Sequence, residues 1–322
     1  MEMTERILQG AISGWWGIFS EPASTAYRDI VQGKPVLLPK SNETMVKAFQ
    51  IASQKVFKDV RDFDPNGSLP ERILHAIISM IKDSSNPVLP AMRATDRSVF
   101  VPPITRDHFK RTGLTEERID FHIRKGLYQE RLGLVKEHPY QMTGVQIGEG
   151  QTCSAPYMVA LYTALSALTR PKKIFELGAG CGYQLATYAN AHRGARLFGL
   201  EYFSLLNILA TANIRELDKR NRSNLAGRIT IETGDGRKLD ENETFRENAP
   251  YDVISVACML PTSSDLGDLA KSLNEDGVLI APIGEGVQEG YQTTRGYLHV
   301  AQKKEGRLES IKAASVTFVP LK

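Results

Sequence analysis

From about residue 172 onward, short β-rich runs alternate with helical stretches, and this alternation restricts the fold of the 322-residue chain more than any other feature. The runs lie at 174–177, 196–201, 229–232, 253–257 and 278–282, with helical candidates at 184–192, 203–219 and 264–274. Strands separated by helices pair in parallel, so the pattern predicts an α/β fold around a mostly parallel sheet. The end of the chain breaks the rhythm. Segments 296–302, a Lys-Glu-Gly turn, 308–311 and 316–320 follow one another without a helix, which predicts an antiparallel hairpin at the sheet edge.

Upstream, the chain reads helical. Met45, Phe49, Ala52, Val56 and Val60 recur at intervals of three and four, which predicts a helix over 43–62. Ser68 as a cap, Pro70 in the first turn and an apolar stripe of Ile73, Leu74, Ile77, Ile78 and Ile81 predict a second over 70–83. The turn-forming residues 83–87 then mark a boundary. Thr115, with Glu116 and Glu117 at the positive end of the dipole, opens a third helix over 115–135. At about 150 residues per domain the length fits two units, which we read as a helical accessory domain over 1–86 and an α/β domain over 87–322.

Forty basic residues against 37 acidic ones leave a net charge of +3, without the basic excess of a nucleic-acid binder. The three cysteines, Cys153, Cys181 and Cys258, have neither disulfide-framework nor metal-site spacing, and a reducing, cytoplasmic setting is expected. The N-terminus lacks the basic-then-apolar order of a secretory signal. No stretch approaches the roughly 18 to 20 apolar residues of a membrane span. The run from Ala11 to Phe19 is apolar but short, and we expect it to pack against the next domain rather than lie on a membrane surface.

The chemistry concentrates at the ends of the β-runs. Glu176-Leu177-Gly178-Ala179-Gly180-Cys181-Gly182-Tyr183 closes the first; its glycines let the backbone turn tightly and approach a ligand, and the following helix offers free N–H groups. Glu201 ends the second run, where a carboxylate can accept both hydroxyls of a ribose. Asp235, within Gly234-Asp235-Gly236, ends the third, where a side chain can meet the exocyclic amine of adenine. Together they supply the parts of an adenosine site. The spacing is not that of a dinucleotide fingerprint, and no phosphate loop for ATP is present. S-adenosylmethionine fits better than either.

A family resemblance sharpens this reading. Gly148-Glu149-Gly150-Gln151-Thr152-Cys153-Ser154-Ala155-Pro156-Tyr157-Met158 resembles the G-x-G-Q-T-x-S-x-P-x-M motif of protein-L-isoaspartate O-methyltransferases. Residues 175–186, 234–236, Ala249-Pro250-Tyr251-Asp252, 279–284 and Phe318-Val319-Pro320-Leu321 match that family in order, and Met92-Arg93-Ala94 with Phe100-Val101-Pro102-Pro103 looks like its opening helix and turn. The resemblance covers about 87–103 and 140–322. It implies a Rossmann-like class I methyltransferase fold and methyl transfer from S-adenosylmethionine to a carboxylate, in known cases that of an isoaspartyl residue. Such a carboxylate is ionised at neutral pH, so the step needs orientation and exclusion of water rather than a base.

By resemblance, Ser154 matches the active-site serine, with Thr152 in the same loop; both hydroxyls would orient the acceptor or the amino-acid end of the cofactor. Read without the family, they would cap the apolar helix at 156–168. Gly178, Gly180 and Gly182 would approach the methionine part, Glu201 would hold the ribose, and Asp235 with Gly236 the adenine; Glu176, the acid before the glycines, is counted among the cofactor-binding residues. Residues 319–321 would line the substrate groove. Cys153 and Cys181 sit inside both motifs but are read as small packing residues, since methyl transfer needs no thiolate. His138 and His192 lack spacing partners for a metal, and Lys303-Lys304 reads as a solvated turn.

The departures from the family gather on the acceptor side: 86 helical residues at the start, an insertion at 104–139, Met142 to Ile147 in place of the usual Pro-Leu-Pro-Ile, and Cys153 in place of isoleucine. The acceptor is therefore read as an isoaspartyl protein or as one peptide or small-molecule carboxylate in a biosynthetic pathway. A cofactor-binding adaptor is the third reading, against which the intact Gly-Gln-Thr-x-Ser loop argues.

Overall fold

The computed structural model describes residues 2–31, 39–60, 62–101, 113–119, 139–284 and 294–322. Most of the 104–139 insertion, with His138, Pro102 and Pro103, lies outside them, as does all of the helix read at 115–135 except its opening turn at 116–119.

Five helices come first: α1 (Glu2–Val31), α2 (Asn42–Val56), α3 (Leu69–Lys82), α4 (Val88–Ala94) and α5 (Arg97–Phe100). Local chemistry sets their starts. Ser41 and Thr44 exchange side-chain and backbone hydrogen bonds at 3.2 and 3.0 Å, a capping box that opens α2. The Ser68 N–H donates to Glu71 at the head of α3, with Pro70 in the first turn where its missing N–H is harmless. The apolar run from Ala11 to Phe19 belongs to α1. Ile12, Trp15 and Phe19 are buried, and Trp15 lies among Phe19, Phe49 and Phe57 with its Nε1 donating to Ser53 Oγ at 2.8 Å.

A small antiparallel pair follows, β1 (Val145–Gly148) and β2 (Gln151–Cys153), and then α6 (Pro156–Ser166). The remainder is the anticipated alternation: β3 (Lys173–Leu177), α7 (Tyr183–Ala191), β4 (Arg196–Glu201), α8 (Ser204–Asn221), β5 (Ile229–Thr233), α9 (Glu243–Asn248), β6 (Tyr251–Val256), α10 (Ser264–Lys271) and β7 (Leu273–Gly284). β8 (Thr294–Lys304) and β9 (Arg307–Phe318) complete a seven-stranded sheet of order β5-β4-β3-β6-β7-β8-β9. Pairs up to β7 are parallel, and the last two are antiparallel, as the missing helices predict. The two runs read at 308–311 and 316–320 are one strand, whose pairing shifts register at Leu298/His299. The hairpin turns at Glu305 and Gly306, both with positive φ. Lys303 is not solvated there; its Nζ donates to the carbonyls of Ala270 and Leu273.

Alternation along the strands makes two apolar layers. Ile174, Val278 and Ile280 face one core, and Phe175, Leu177, Leu279 and Ala281 face the other. The first core runs without interruption from Leu8, Trp15 and Phe49 of the N-terminal helices through Leu161 to Val300 and Phe318 of the last strands. α1 touches β9 directly, and Gln9 Nε2 donates to the Lys312 carbonyl at 2.8 Å. The accessory helices thus share a core with the sheet. At the opposite end, the Asp252 carboxylate accepts from the N–H groups of Lys172 and Lys173 and from Asn274 Nδ2, tying together the starts of β3, β6 and β7.

Candidate active site

In a sheet of this order the chain leaves β3 toward β4 on one side and β6 lies on the other, so a crevice opens at the carboxyl ends of the parallel strands. A cleft of about 510 Å³, counting its open mouth, lies there. Gly178 and Gly180 line it after β3, Leu200 and Glu201 at the end of β4, Gly234 and Gly236 after β5, and Ala257 and Cys258 after β6. The opposite wall comes from Ile147, Gln151 and Thr152 of the β1–β2 pair and from residues 319–322. Two hydrogen bonds with Met259, from its N–H to the Val319 carbonyl and from the Leu321 N–H to its carbonyl, hold that last segment at the cleft.

The turn after β3 requires glycine. Gly178, Gly180 and Gly182 have φ of 84°, 54° and 83°, in the left-handed region that costs other residues about 1–2 kcal/mol. Gly182 stands at the N-cap of α7 with its face against Ala210 and Ile214, behind the cleft. Glu201 fixes the turn from the next strand. Its carboxylate accepts from the Gly180 N–H at 2.7 Å and the Phe203 N–H at 3.0 Å. Burial raises its pKa, against the pull of those amides.

The structure therefore gathers Thr152, Gly178, Gly180, Glu201 and Gly236 into one cleft and leaves four of the expected residues outside its lining. Asp235 pairs with Arg237, accepting from Nε at 3.0 Å and from a terminal nitrogen at 2.9 Å, which holds its carboxyl below the usual range. Glu176 is 1% exposed, and neither carboxyl oxygen has a partner. Burial first, then the charges of Glu201 and Cys153, push its pKa well up, two residues before Gly178. Ser154 is held by its carbonyl, which accepts from Arg97 at 3.2 Å. It does not cap α6, which starts from Ala155 without a side-chain cap.

Arg97 is the residue the sequence does not signal. Fully buried, its guanidinium donates to the carbonyls of Pro139, Gln141, Thr143 and Ser154 at 2.7–3.2 Å. It thereby shapes the approach to β1 and the loop after β2. Nothing in the sequence near Arg97 points to acceptors more than 40 residues away. Tyr202 is a second omission: it lines the cleft beside Glu201 and is 46% exposed. Its place directly after a strand-end acid was the available signal.

A doubly wound sheet with an antiparallel C-terminal hairpin and a ligand cleft at the glycine turn defines a class I methyltransferase fold, and a solved structure shares it. A Plasmodium falciparum protein, described as a protein-L-isoaspartate O-methyltransferase in complex with S-adenosyl-L-homocysteine, superposes with a TM-score of 0.51 at 23% identity over 78% of this chain and 97% of its own. The chain belongs to the protein-L-isoaspartate(D-aspartate) O-methyltransferase family, whose model matches residues 122–322. A protein-L-isoaspartate O-methyltransferase of Alteromonas mediterranea is 35% identical over 192 residues, covering 58% of this chain and 78% of the relative. One of Hyperthermus butylicus is 32% identical over 185 residues, covering 56% and 71%. The match begins at residue 122, so the helices before it, and the resemblance read at 87–103, lie ahead of it. The protein is an S-adenosylmethionine-dependent O-methyltransferase of this family. Among the described residues no helix is long and apolar enough to cross a membrane.

Proposed function

We propose that the protein methylates the α-carboxylate of an isoaspartyl residue in a peptide or protein, with the cleft described above as its active site. The observation that carries this reading is the meeting of the Gln151-Thr152 loop with the glycine turn and Glu201 around one cleft. The residues fit the cofactor: the left-handed turn gives close backbone approach, Glu201 presents a carboxyl group at the end of the second parallel strand, and both carboxyl oxygens of Glu176, in the strand behind the cleft lining, lack a partner. When bound, the cofactor supplies a sulfonium methyl as electrophile.

The chain itself has to bind, orient and keep out water. The acceptor carboxylate, with an ordinary pKa of about 3.5, is ionised at neutral pH and needs no base. Thr152, with Ser154 two residues on, orients it. Gly178 and Gly180 admit the amino-acid end of the cofactor, with Glu176 and Gly182 supporting the turn. Glu201 takes the ribose, and Gly236 the adenine, with Asp235 beside it. Residues 319–321 close the groove and exclude water, so catalysis rests on proximity and desolvation.

A second reading keeps the chemistry and narrows the acceptor to one peptide or small-molecule carboxylate of a biosynthetic pathway. One contact favours it. Phe19 stacks on Tyr157 at 5.4 Å and Trp16 meets the same ring at 6.2 Å, so α1 abuts the helix that follows the acceptor loop. On this reading residues 1–86 contribute recognition and 87–322 the transfer. A labelled-methyl assay on an isoaspartyl peptide beside its aspartyl counterpart separates the two. Base-labile label on the isoaspartyl peptide alone is expected. No label on either, with cofactor bound, would replace the first reading by the second.

A further inference from the structure

The β1–β2 pair brings Gln151 and Thr152 to the cleft, yet it is a sheet of only two strands. A two-stranded ribbon is marginally stable by itself, so its place has to be fixed from outside. Arg97 does this at the open end of the hairpin. One terminal nitrogen donates to the Thr143 carbonyl at 3.0 Å, two residues before β1, and to the Ser154 carbonyl at 3.2 Å, one residue after β2. The other donates to the Pro139 and Gln141 carbonyls at 2.7 and 3.0 Å, in the segment that leads into β1. All the hydrogens of both terminal nitrogens are thus in use. The backbone of Arg97 is set in turn by the N-terminal helices. Asn42, the buried first residue of α2, accepts from the Arg97 N–H at 3.3 Å through its Oδ1. Its Nδ2 donates to the carbonyls of Met92 and Arg93, at 2.9 and 3.0 Å, near the end of α4. One amide therefore clamps α2 to the junction of α4 and α5, from which the guanidinium sets out. Asn42 and Arg97 both precede the family match at residue 122. The glycine turn has a separate anchor in Glu201. The Tyr183 ring just past that turn lies 5.9 Å from the Arg97 guanidinium carbon, and its hydroxyl has no hydrogen-bond partner.

We propose that Asn42 and Arg97 are positioning residues for methyl transfer, through which the N-terminal helices hold the loop from Thr152 to Ser154 in place for the acceptor. This rests on the reading above, in which that loop orients the acceptor carboxylate. The acceptor needs no base, so what the loop contributes is placement, and a displacement of about 1 Å in such a site costs on the order of a hundredfold in rate. Arg97 does not line the cleft and acts through the loop. A lysine at 97 has one ammonium for carbonyls that lie in several directions. An alanine at 42 keeps the guanidinium but releases its backbone from α2 and takes a donor from the Met92 and Arg93 carbonyls. Both changes loosen the acceptor side and leave the Glu201 anchor of the glycine turn intact. Acceptor kinetics and cofactor affinity should therefore part.

The test measures methyl transfer to an isoaspartyl peptide by the full chain. Rates are divided by the fraction that binds S-adenosylhomocysteine in calorimetry, so that loss of folded protein does not count. Arg97→Lys should lower kcat by about tenfold or more and raise the peptide KM by about fivefold. Asn42→Ala should raise the peptide KM by about threefold or more. In both, the Kd of S-adenosylhomocysteine should stay within about threefold of the parent value. Acceptor constants equal to those of the parent in Asn42→Ala, or a cofactor Kd that rises in step with the peptide KM, overturn the proposal. If Arg97→Lys does not fold, Asn42→Ala decides by the same readings. Amide hydrogen exchange follows the link without any acceptor: residues 145–153 should exchange about threefold faster or more in Asn42→Ala, with 173–177 and 196–201 unchanged. Equal acceleration in both regions, or none, overturns the link from α2 to the loop. A parent that binds S-adenosylhomocysteine but labels no isoaspartyl peptide overturns the acceptor reading instead, and the exchange result then decides the proposal.

Discussion

Gly180 joins three constraints in one residue. Its φ is 54°, its N–H is held by Glu201, and a Cβ there would lie 3.2 Å from Ile147 Cδ1. Gly180→Ala is expected to cost about 1–2 kcal/mol of stability, read from denaturant unfolding. Glu201→Ala should weaken S-adenosylhomocysteine binding by tenfold or more, because it removes both the candidate ribose acceptor and the anchor of the turn; unchanged affinity by calorimetry would falsify that role. His192 makes a different kind of prediction. Its Nε2 lies 2.7 Å from Ser166 Oγ, and burial pushes its pKa down to about 4. The unfolded chain, with a histidine pKa of about 6.5, takes up that proton first. The stabilisation is therefore complete above pH 6.5 and is lost as pH falls from about 6.5 toward 4. Melting temperatures across that window should fall less steeply in His192→Gln than in the parent. At this scale the sequence shows the glycines and the strand-end acids, because turn geometry and ligand chemistry demand those residue types locally. It does not show that Asp235 turns to Arg237 or that Glu176 is left without a partner, since both depend on rotamers and on neighbours brought by other strands.

Short elements built by distant partners behave differently from long ones. α5 has four residues, yet Arg97 within it holds four carbonyls spread over residues 139–154. Arg97→Lys keeps the charge but replaces a planar fork by one ammonium, which cannot satisfy carbonyls in four directions. It should destabilise the chain by about 3 kcal/mol, with each buried carbonyl left unpaired adding to the cost. Limited proteolysis within 139–154 should accelerate in the same variant; unaltered cleavage there would remove Arg97 as the organiser of that segment. α3 and the strands β3 to β6 were readable to within a few residues, since amphipathic spacing and capping are local, whereas α2 ends at Val56, six residues before the expected 62, and β7 starts at Leu273, five before the expected 278. β1, β2 and α9 were not: segments of three to six residues carry too few periods to declare themselves.

One apolar core links the first helix to the last strand, and the molecule should unfold accordingly. Trp15→Ala deletes a fully buried ring and its hydrogen bond to Ser53, for an expected loss of about 3–5 kcal/mol. Tryptophan fluorescence and circular dichroism should then give coincident transitions, because helices and sheet share that core. Separate transitions would show that residues 1–86 fold on their own. The parallel sheet and its hairpin edge were legible from the alternation of strand and helix. The attachment of α1 to β9 was not, because it joins positions some 300 residues apart, Gln9 and Lys312. That contact has a further consequence during synthesis. At about 5–20 residues per second, the apolar face of α1 emerges tens of seconds before β9 exists to cover it. Until then the side of α1 that meets β9 is uncovered, and the nascent chain offers a chaperone a target that disappears when the last hairpin closes.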